Sequence, residues 1–328
     1  MKFNQNELGL YVIEAKAQRR DLDSLSSIIN EFRADWQASI TQTGGILLRG
    51  FCVRDGDDFR QVLTRIFPTQ TLSNYRGGLG HKKSYGDGIY SSTEVSARFE
   101  ISAHHEMAYL PKQPRYIAFF CRKPALSGGR TSIVCGAELY RALDPTIRER
   151  FETLGVRYTR TYPTHSLGAR WGVKHAMLVN WRTVFGCHHR VDVEAQCEAM
   201  GLSTTWLKGD LLQTRVVLPA VQVHPTSEEK IWYNQAHTFV PTRRYLGALL
   251  FGAYKLAYTL KSVRQGEAHF GNGDVIPTEA IDHIHATLKN LTSYVDWRPG
   301  DLLILDNKRT LHGREAYHGE RRLLTAML

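Results

Sequence analysis

The sequence is divided into many short apolar segments of strand length, with longer helical segments between them. We predict strands at residues 45–51, 116–121, 131–135, 156–162, 215–223, 230–234, 301–305 and 321–328. Apolar residues at helical spacing predict helices at residues 24–39, 58–66, 137–154, 246–260 and 278–292. This order favours a mainly β fold, a double-stranded β-helix (jelly roll) core decorated by helices, over a doubly wound sheet. We expect residues 1–328 to form a single domain.

One long polar segment interrupts the predicted strands. Residues 163–213 are rich in histidine and punctuated by glycine. Long segments of this kind in a compact domain are usually functional. We interpret the segment as an insertion over one mouth of the barrel, where it can act as a lid. Closure over a small ligand favours a free substrate over one tethered to a carrier protein.

Composition narrows the class of protein. Of 328 residues, 42% are hydrophobic and 23% charged, as in ordinary globular proteins. The sequence has no apolar run of the roughly 18 residues that a membrane span needs, and the amino terminus does not resemble a signal peptide. The 5 cysteines form no C-x-x-C pair, which argues against a disulfide framework and a thiolate zinc site. We therefore expect a cytoplasmic protein without a membrane partner.

The net charge of +10 is spread along the chain. Dispersed charge does not indicate a nucleic-acid-binding arm, so we expect no nucleic-acid partner. It suits attraction of anions: a dicarboxylate cosubstrate, an acidic substrate or an acidic carrier protein. The oligomeric state stays open, a homodimer included.

Two separate segments carry residues that can bind a metal. In an extended segment His104 and Glu106 point to the same face, and His105 points away. His312 follows a predicted strand beside Gly313, which we expect to leave room for a ligand. Two imidazoles and one carboxylate form the facial triad of non-haem iron oxygenases.

Two further segments suit an anion. Arg321 and Arg322 are neighbours on the last predicted strand, so one of them can face inwards. A buried arginine requires an anionic partner, and the distal carboxylate of 2-oxoglutarate is one. The hydroxyl of Thr131, at the start of another strand, can donate to the same carboxylate.

These segments together resemble a known family. The stretches are GGILLRGF (44–51), YSSTE (90–94), HHEMAY (104–109), SGGRT (127–131), WYNQAH (232–237), WRPGD (297–301), DNKRTLHGR (306–314) and GERR (319–322). They are similar to the taurine dioxygenase-like (TauD/TfdA) oxygenases of the clavaminate synthase-like superfamily, and to the branch that hydroxylates amino acids in natural-product pathways. The resemblance covers most of the chain. Residues 80–83 (GHKK) depart from it, standing where a Ser-Pro-Arg-like turn is expected.

The resemblance implies a function and a set of site residues. It makes His104, Glu106 and His312 the iron(II) ligands, and Arg322 the partner of 2-oxoglutarate beside Thr131, with Arg321 as second choice. It implies a dioxygenase that uses dioxygen to hydroxylate an unactivated C–H bond of an amino acid or a derived intermediate, releasing succinate and carbon dioxide. The residues that we expect near the substrate are Tyr109, Asn234, Gln235, His237 and Arg314.

Several alternatives stay open at this point. The same cofactors can serve desaturation, cyclisation or epimerisation, or a substrate bound to a carrier protein. The same ligands also suit a zinc hydrolase, although zinc gives Arg322 and Thr131 no role. A basic binding protein without catalysis is the third alternative.

Overall fold

The structure, a computed structural model, describes residues 4–5, 10–16, 20–31, 33–73, 78, 82–93, 95–164, 180–258 and 266–328. The strands, numbered along the chain, are β1 (Asn4–Gln5), β2 (Tyr11–Glu14), β3 (Gly45–Arg49), β4 (Ile89–Ser91), β5 (Ile101–His104), β6 (Tyr116–Lys123), β7 (Ser127–Gly128), β8 (Thr131–Cys135), β9 (Val156–Tyr162), β10 (Ser203–Leu207), β11 (Leu211–Leu218), β12 (Val221–Val223), β13 (Lys230–Trp232), β14 (Glu267–Phe270), β15 (Ser293–Val295), β16 (Leu302–Asp306), β17 (Thr310–Arg314), β18 (Tyr317–His318) and β19 (Arg322–Met327). The helices are α1 (Leu22–Glu31), α2 (Arg33–Thr43), α3 (Gly56–Ile66), α4 (Gly136–Ala142), α5 (Pro145–Leu154), α6 (Trp181–Phe185), α7 (Arg190–Ala199), α8 (Ala236–Phe239), α9 (Arg243–Tyr258) and α10 (Thr278–Leu291).

The largest sheet has its strands in the order β1-β2-β3-β16-β6-β19-β4. Its central strand β16 pairs antiparallel with both β3 and β6. Successive side chains of a strand point to opposite faces, and both faces of this sheet are covered. On one face, Ile304 and Phe120 pack with Phe59 of α3 and the other apolar residues of α1 to α3.

The other face of the large sheet packs into the main core cluster, which reaches the smaller sheets. There Phe119 and Leu303 of the large sheet belong to the same cluster as Leu311 and Ile133. The last two residues come from a second sheet, in the order β15-β8-β17-β5. A third sheet, β10-β11-β9-β14, contributes Tyr158 and other apolar residues to this cluster. Sheets facing each other with helices outside them form the β core decorated by helices that the sequence predicts.

Two of the predicted helices are each divided. The helix predicted over residues 24–39 is α1 followed by α2. The one predicted over 137–154 is α4 followed by α5, because Asp144 caps α5 by accepting from the backbone N–H groups of Thr146 and Ile147, and Pro145 begins the new helix. Pro277 is the N-cap of α10.

The segment predicted to be an insertion is largely regular where the structure describes it. Residues 165–179 lie outside the described residues, and the remainder forms α6, α7, β10 and the beginning of β11. Trp181, Phe185 and Val193 are buried in the main core cluster. Most of the described part of 163–213 is therefore packed into the fold. In the part of the chain that the structure describes, no helix combines the length and apolarity of a bilayer-spanning segment.

Candidate active site

A cavity lies between the large sheet and the sheet β15-β8-β17-β5. It is lined by Lys82, Ser92, Thr93, Ile101, His104, Glu106, Phe119, Thr131, His312, Gly313, Arg314, Arg321 and Leu323. The residues predicted as metal ligands thus share one cavity with three of the residues predicted to bind anions or substrate: Thr131, Arg314 and Arg321.

The two histidines are held by the pairing of β5 with β17. His104 and His312 are directly opposite each other in this antiparallel ladder, and their ring centroids are 4.8 Å apart. The Nδ1 atom of His104 lies 2.8 Å from the carbonyl oxygen of Ser102. A carbonyl can only accept, so Nδ1 carries the proton and Nε2 keeps its lone pair for a metal.

Gly313 lines the cavity beside His312, and its lack of a side chain also has a structural role. A Cβ atom at this position would collide with the carbonyl oxygen of Ile101 and the hydroxyl of Ser132. The glycine therefore allows the neighbouring strands to approach closely, and this approach brings His312 opposite His104.

Glu106 is positioned through its backbone by Asn307. The side-chain oxygen of Asn307 accepts from the backbone N–H of Glu106 at 2.7 Å, and its amide donates to the carbonyl of Glu106 at 3.0 Å. The same amide also donates to the carbonyl of Pro114 at 2.9 Å. Asn307 is completely buried, so these bonds fix the segment that follows β5.

The side chains form a compact donor group. One ligand atom from each of His104, Glu106 and His312 lies within 4.8 Å of the others. Oε2 of Glu106 is 3.5 Å from Nε2 of His312, and Oε1 is 3.4 Å from Nζ of Lys82.

The charge states suit a metal cation. Burial raises the pKa of Glu106, but Lys82 and His312 outweigh this effect and hold the pKa well below its usual range. Burial, with His312 as the next contribution, lowers the pKa of His104 to about 4. Near neutral pH the site therefore offers an ionised carboxylate and a neutral imidazole at His104, the forms that bind metal ions. The residues present fit a divalent metal.

Arg321 and Thr131 lie at another part of the same cavity. The Nε atom of Arg321 donates to the carbonyl of Gly129 at 2.9 Å. Among the described residues no carboxylate lies within ion-pair distance of its guanidinium. Burial, and then the positive charge of Arg314, lowers the pKa of Arg321 to about 10. This guanidinium is a partly buried cation that faces the cavity and is available for an anionic ligand.

The hydroxyl of Thr131 can also donate a hydrogen bond to a ligand. The indole Nε1 of Trp297 donates to Oγ1 of Thr131 at 3.0 Å. An indole N–H cannot accept, so the hydroxyl proton of Thr131 is free for another partner.

Arg322 does not face the cavity. The prediction that placed Arg322, rather than Arg321, in the site is therefore wrong. Its side chain is 61% exposed and forms an ion pair with Glu320 at 2.5 Å. Leu323, two residues after Arg321, lines the cavity, whereas Leu324 packs on the helical side of the large sheet. Odd-numbered residues thus face inwards. This phase is not visible in the sequence, because both faces of β19 are apolar.

Of the predicted substrate residues, Arg314 alone lines the cavity within the described part of the chain. Its guanidinium donates to the carbonyls of Val95, Ser96 and Phe99, so it holds the segment before β5.

The other four are buried away from the cavity. Asn234 donates to Ala220, Gln235 donates to the carbonyl of His105, and His237 lies 2.9 Å from the carbonyl of Ala103. Tyr109 packs edge-on against Phe239. These contacts support the fold around the site.

Four residues with clear structural roles, three of them at the site and Asp301 elsewhere in the core, were not singled out from the sequence. They are Lys82, Asn307, Trp297 and Asp301. Three belong to the motifs WRPGD and DNKRTLHGR, which were recognised without a role for each member. Asp301, for example, is fully buried and forms an ion pair with Arg49 at 2.7 Å.

Two histidines and a carboxylate facing a cavity between sheets are the ligand set of the non-haem iron oxygenases. The chain belongs to the Taurine catabolism dioxygenase TauD, TfdA family, whose model matches residues 5–328. It is therefore an iron(II)- and 2-oxoglutarate-dependent dioxygenase, as predicted, and the zinc hydrolase and the non-catalytic binding protein are excluded.

The chain is also similar to individual proteins. The chain is 28% identical over 295 residues to the dapdiamide synthesis protein DdaC of Enterobacter agglomerans, covering 88% of this chain and 83% of the relative. It is 25% identical to a clavaminate synthase-like protein of Arabidopsis thaliana, covering 98% and 88%. The crystal structure of AAD-2 in complex with Mn(II) and N-oxalylglycine shares the fold, with a TM-score of 0.53, 12% identity and coverage of 97% and 92%.

Proposed function

We propose that His104, Glu106 and His312 hold the iron, and that Arg321 with Thr131 binds the distal carboxylate of 2-oxoglutarate. The observation that carries this proposal is the partly buried guanidinium of Arg321, which shares a cavity with the three metal-binding side chains. When bound, iron(II) and 2-oxoglutarate supply an oxidant from dioxygen, with succinate and carbon dioxide as co-products.

The protein side chains orient the cosubstrate and limit water. The guanidinium of Arg321 and the hydroxyl of Thr131 give one carboxylate a charged and a neutral hydrogen-bond donor. Phe119 lies 5.2 Å from the ring of His312, and Leu323 lines the same wall. These apolar side chains shield the metal-binding atoms from solvent on the side of the large sheet.

We further propose that the substrate is an amino acid or an amino-acid-derived natural-product intermediate, hydroxylated at an unactivated C–H bond. Lys82, Arg314 and Arg321 place three cations in the cavity against the single carboxylate of Glu106. A positive cavity attracts carboxylate-bearing ligands. The name of the relative DdaC, a dapdiamide synthesis protein, supports a role in natural-product synthesis.

The proposed arrangement is one oxygenase domain that spans the chain. The lid role for residues 163–213 stays a prediction, and residues 165–179 of this segment lie outside the described residues. The buried Trp181 and Phe185 argue against movement of the rest of the insertion as a hinged unit.

The test is product analysis with iron(II), 2-oxoglutarate and a panel of amino acids, each offered free and as a carrier-protein thioester. We expect a free amino acid to gain one oxygen atom as succinate accumulates. A product that has instead lost two hydrogens identifies desaturation, and oxidation of thioesters alone identifies a tethered substrate. Succinate formation without dependence on any member of the panel contradicts the amino-acid proposal.

A further inference from the structure

The two carboxylate oxygens of Glu106 face different partners. Oε2 is 3.5 Å from Nε2 of His312, whereas Oε1 is 3.4 Å from Nζ of Lys82. The Lys82 side chain is 2% exposed and that of Glu106 is 7% exposed. The carboxylate therefore presents one oxygen to the histidines and the other to a buried ammonium group.

Lys82 comes from the segment in which the sequence departs from the expected pattern. It belongs to GHKK at residues 80–83 and lines the same cavity as His104 and His312. Its neighbour Lys83 is exposed, with its ammonium group 5.4 Å from the ring centroid of Tyr85. Two adjacent lysines thus occupy opposite environments, and only Lys82 reaches the metal-binding group.

The position of Lys82 has a consequence for the way Glu106 binds a metal. Carboxylates bind metals through one oxygen or through both. An ammonium group beside Oε1 neutralises that oxygen and repels a cation that approaches it. If Glu106 binds through one oxygen, the remaining coordination positions of the metal stay open for 2-oxoglutarate and dioxygen. If it binds through both oxygens, it occupies one of those positions.

We propose that Lys82 is a positioning residue that restrains Glu106 to bind iron through Oε2 alone and so keeps a coordination position open for 2-oxoglutarate. This inference rests on the proposed metal triad. It assigns a role to a residue that contacts a ligand of the metal and need not contact the substrate.

The variants Lys82→Met, Lys82→Arg and Lys83→Met test this role without any substrate. Cobalt(II) replaces iron first, because its visible absorption responds to the number of ligands. With Lys82→Met we expect a changed cobalt(II) spectrum in the absence of 2-oxoglutarate. In the anaerobic iron(II) protein, we expect the 2-oxoglutarate dissociation constant to rise by about ten- to a hundredfold, the range typical of residues that support a metal ligand. Lys82→Arg and Lys83→Met should retain the wild-type spectrum and affinity.

Three results overturn the proposal. Wild-type spectra and affinity in Lys82→Met show that Lys82 has no such role. Weaker 2-oxoglutarate binding with an unchanged cobalt(II) spectrum shows that Lys82 contacts the cosubstrate instead. A crystal structure of the wild-type manganese(II) protein with both oxygens of Glu106 on the metal also overturns it, and this measurement holds even if Lys82→Met does not fold. Failure of the wild-type protein to bind cobalt(II) at all would instead contradict the proposed triad.

Discussion

His104 and His312 are direct partners across the antiparallel pairing of β5 and β17. The two residues are far apart in the sequence, so the sheet itself determines how closely their imidazoles approach. Their ring centroids are 4.8 Å apart, and Glu106 follows β5 closely enough to complete the group. Metal binding is therefore coupled to the register of two strands.

Removal of one histidine should abolish both metal binding and turnover. We expect His312→Ala to lower the formation of succinate from 2-oxoglutarate by more than about a hundredfold, since loss of a ligand exceeds the usual effect of losing a residue that only supports one. His318→Ala is the control, because His318 is exposed on the short strand β18. Bound iron and succinate are the measurements. Succinate formation at the wild-type rate by His312→Ala would contradict the assignment of the three metal ligands.

Substitutions of the adjacent Arg321 and Arg322 should have very different effects on 2-oxoglutarate binding. Charge-assisted hydrogen bonds contribute about 1.5–3 kcal/mol, so Arg321→Ala should raise the apparent 2-oxoglutarate constant by about ten- to a hundredfold. Arg322→Ala should leave it nearly unchanged, because Arg322 is exposed and paired with Glu320. Steady-state assays at varied 2-oxoglutarate concentration measure both constants. The opposite pattern would mean that the inward-facing phase of β19 is reversed.

The position of Gly313, beside His312, should not tolerate even the methyl side chain of alanine. We expect Gly313→Ala to destabilise the protein by about 1–3 kcal/mol, the usual cost of overpacking, because its Cβ would collide with Ile101 and Ser132. Gly252→Ala is the matched control, since Gly252 lies within α9 with open space at its Cβ position. Urea unfolding of the metal-free variants gives both values. Equal stabilities would show that β5 and β17 can separate without cost.

Acid should weaken the fold partly through His105. This ring is fully buried, with Nδ1 2.6 Å from the carbonyl of Asn307 and Nε2 3.0 Å from that of Trp232. Burial lowers the pKa of His105 from 6.5 to about 3 and outweighs the two carbonyl contacts, which raise it. Between pH 6.5 and about pH 3, the unfolded chain binds a proton at His105 that the folded chain excludes. His105 therefore does not reduce the free energy of unfolding above pH 6.5, and it reduces it progressively as the pH falls towards about 3.

The corresponding measurement compares unfolding free energies of the metal-free wild type and His105→Gln across this pH range. One excluded proton corresponds to a slope of about 1.4 kcal/mol per pH unit. We expect the wild-type slope to exceed that of the variant by up to this amount. Identical slopes would mean that His105 is protonated inside the fold.

The sequence predicted the parts of the site that depend on local pattern. The spacing of His104 and Glu106, the apolar strand before His312 and the start of β8 at Thr131 are all visible over a few residues. The structure places these four side chains around one cavity. Their local patterns were sufficient because each lies on, or immediately after, a strand in the β core.

The sequence could not predict features that depend on distant partners. The phase of β19 was hidden because Leu323 and Leu324 are buried on opposite faces. Asn307 acts by reaching the backbone of Glu106, some two hundred residues earlier. Asn234, Gln235 and His237 were expected near the substrate, yet they bind carbonyl groups in the core. Polar residues in a short motif do not reveal whether they face a ligand or the protein backbone.

We propose that the three metal-binding side chains and Arg321 together form an iron(II) and 2-oxoglutarate site. The most direct measurement is an anaerobic titration of the iron(II) protein with 2-oxoglutarate, followed by visible absorption. We expect a weak charge-transfer band that saturates with 2-oxoglutarate, is absent from His312→Ala and requires higher 2-oxoglutarate concentrations in Arg321→Ala. Folded wild-type protein that binds iron and 2-oxoglutarate but shows no such band, or an unchanged band in His312→Ala, would contradict the account.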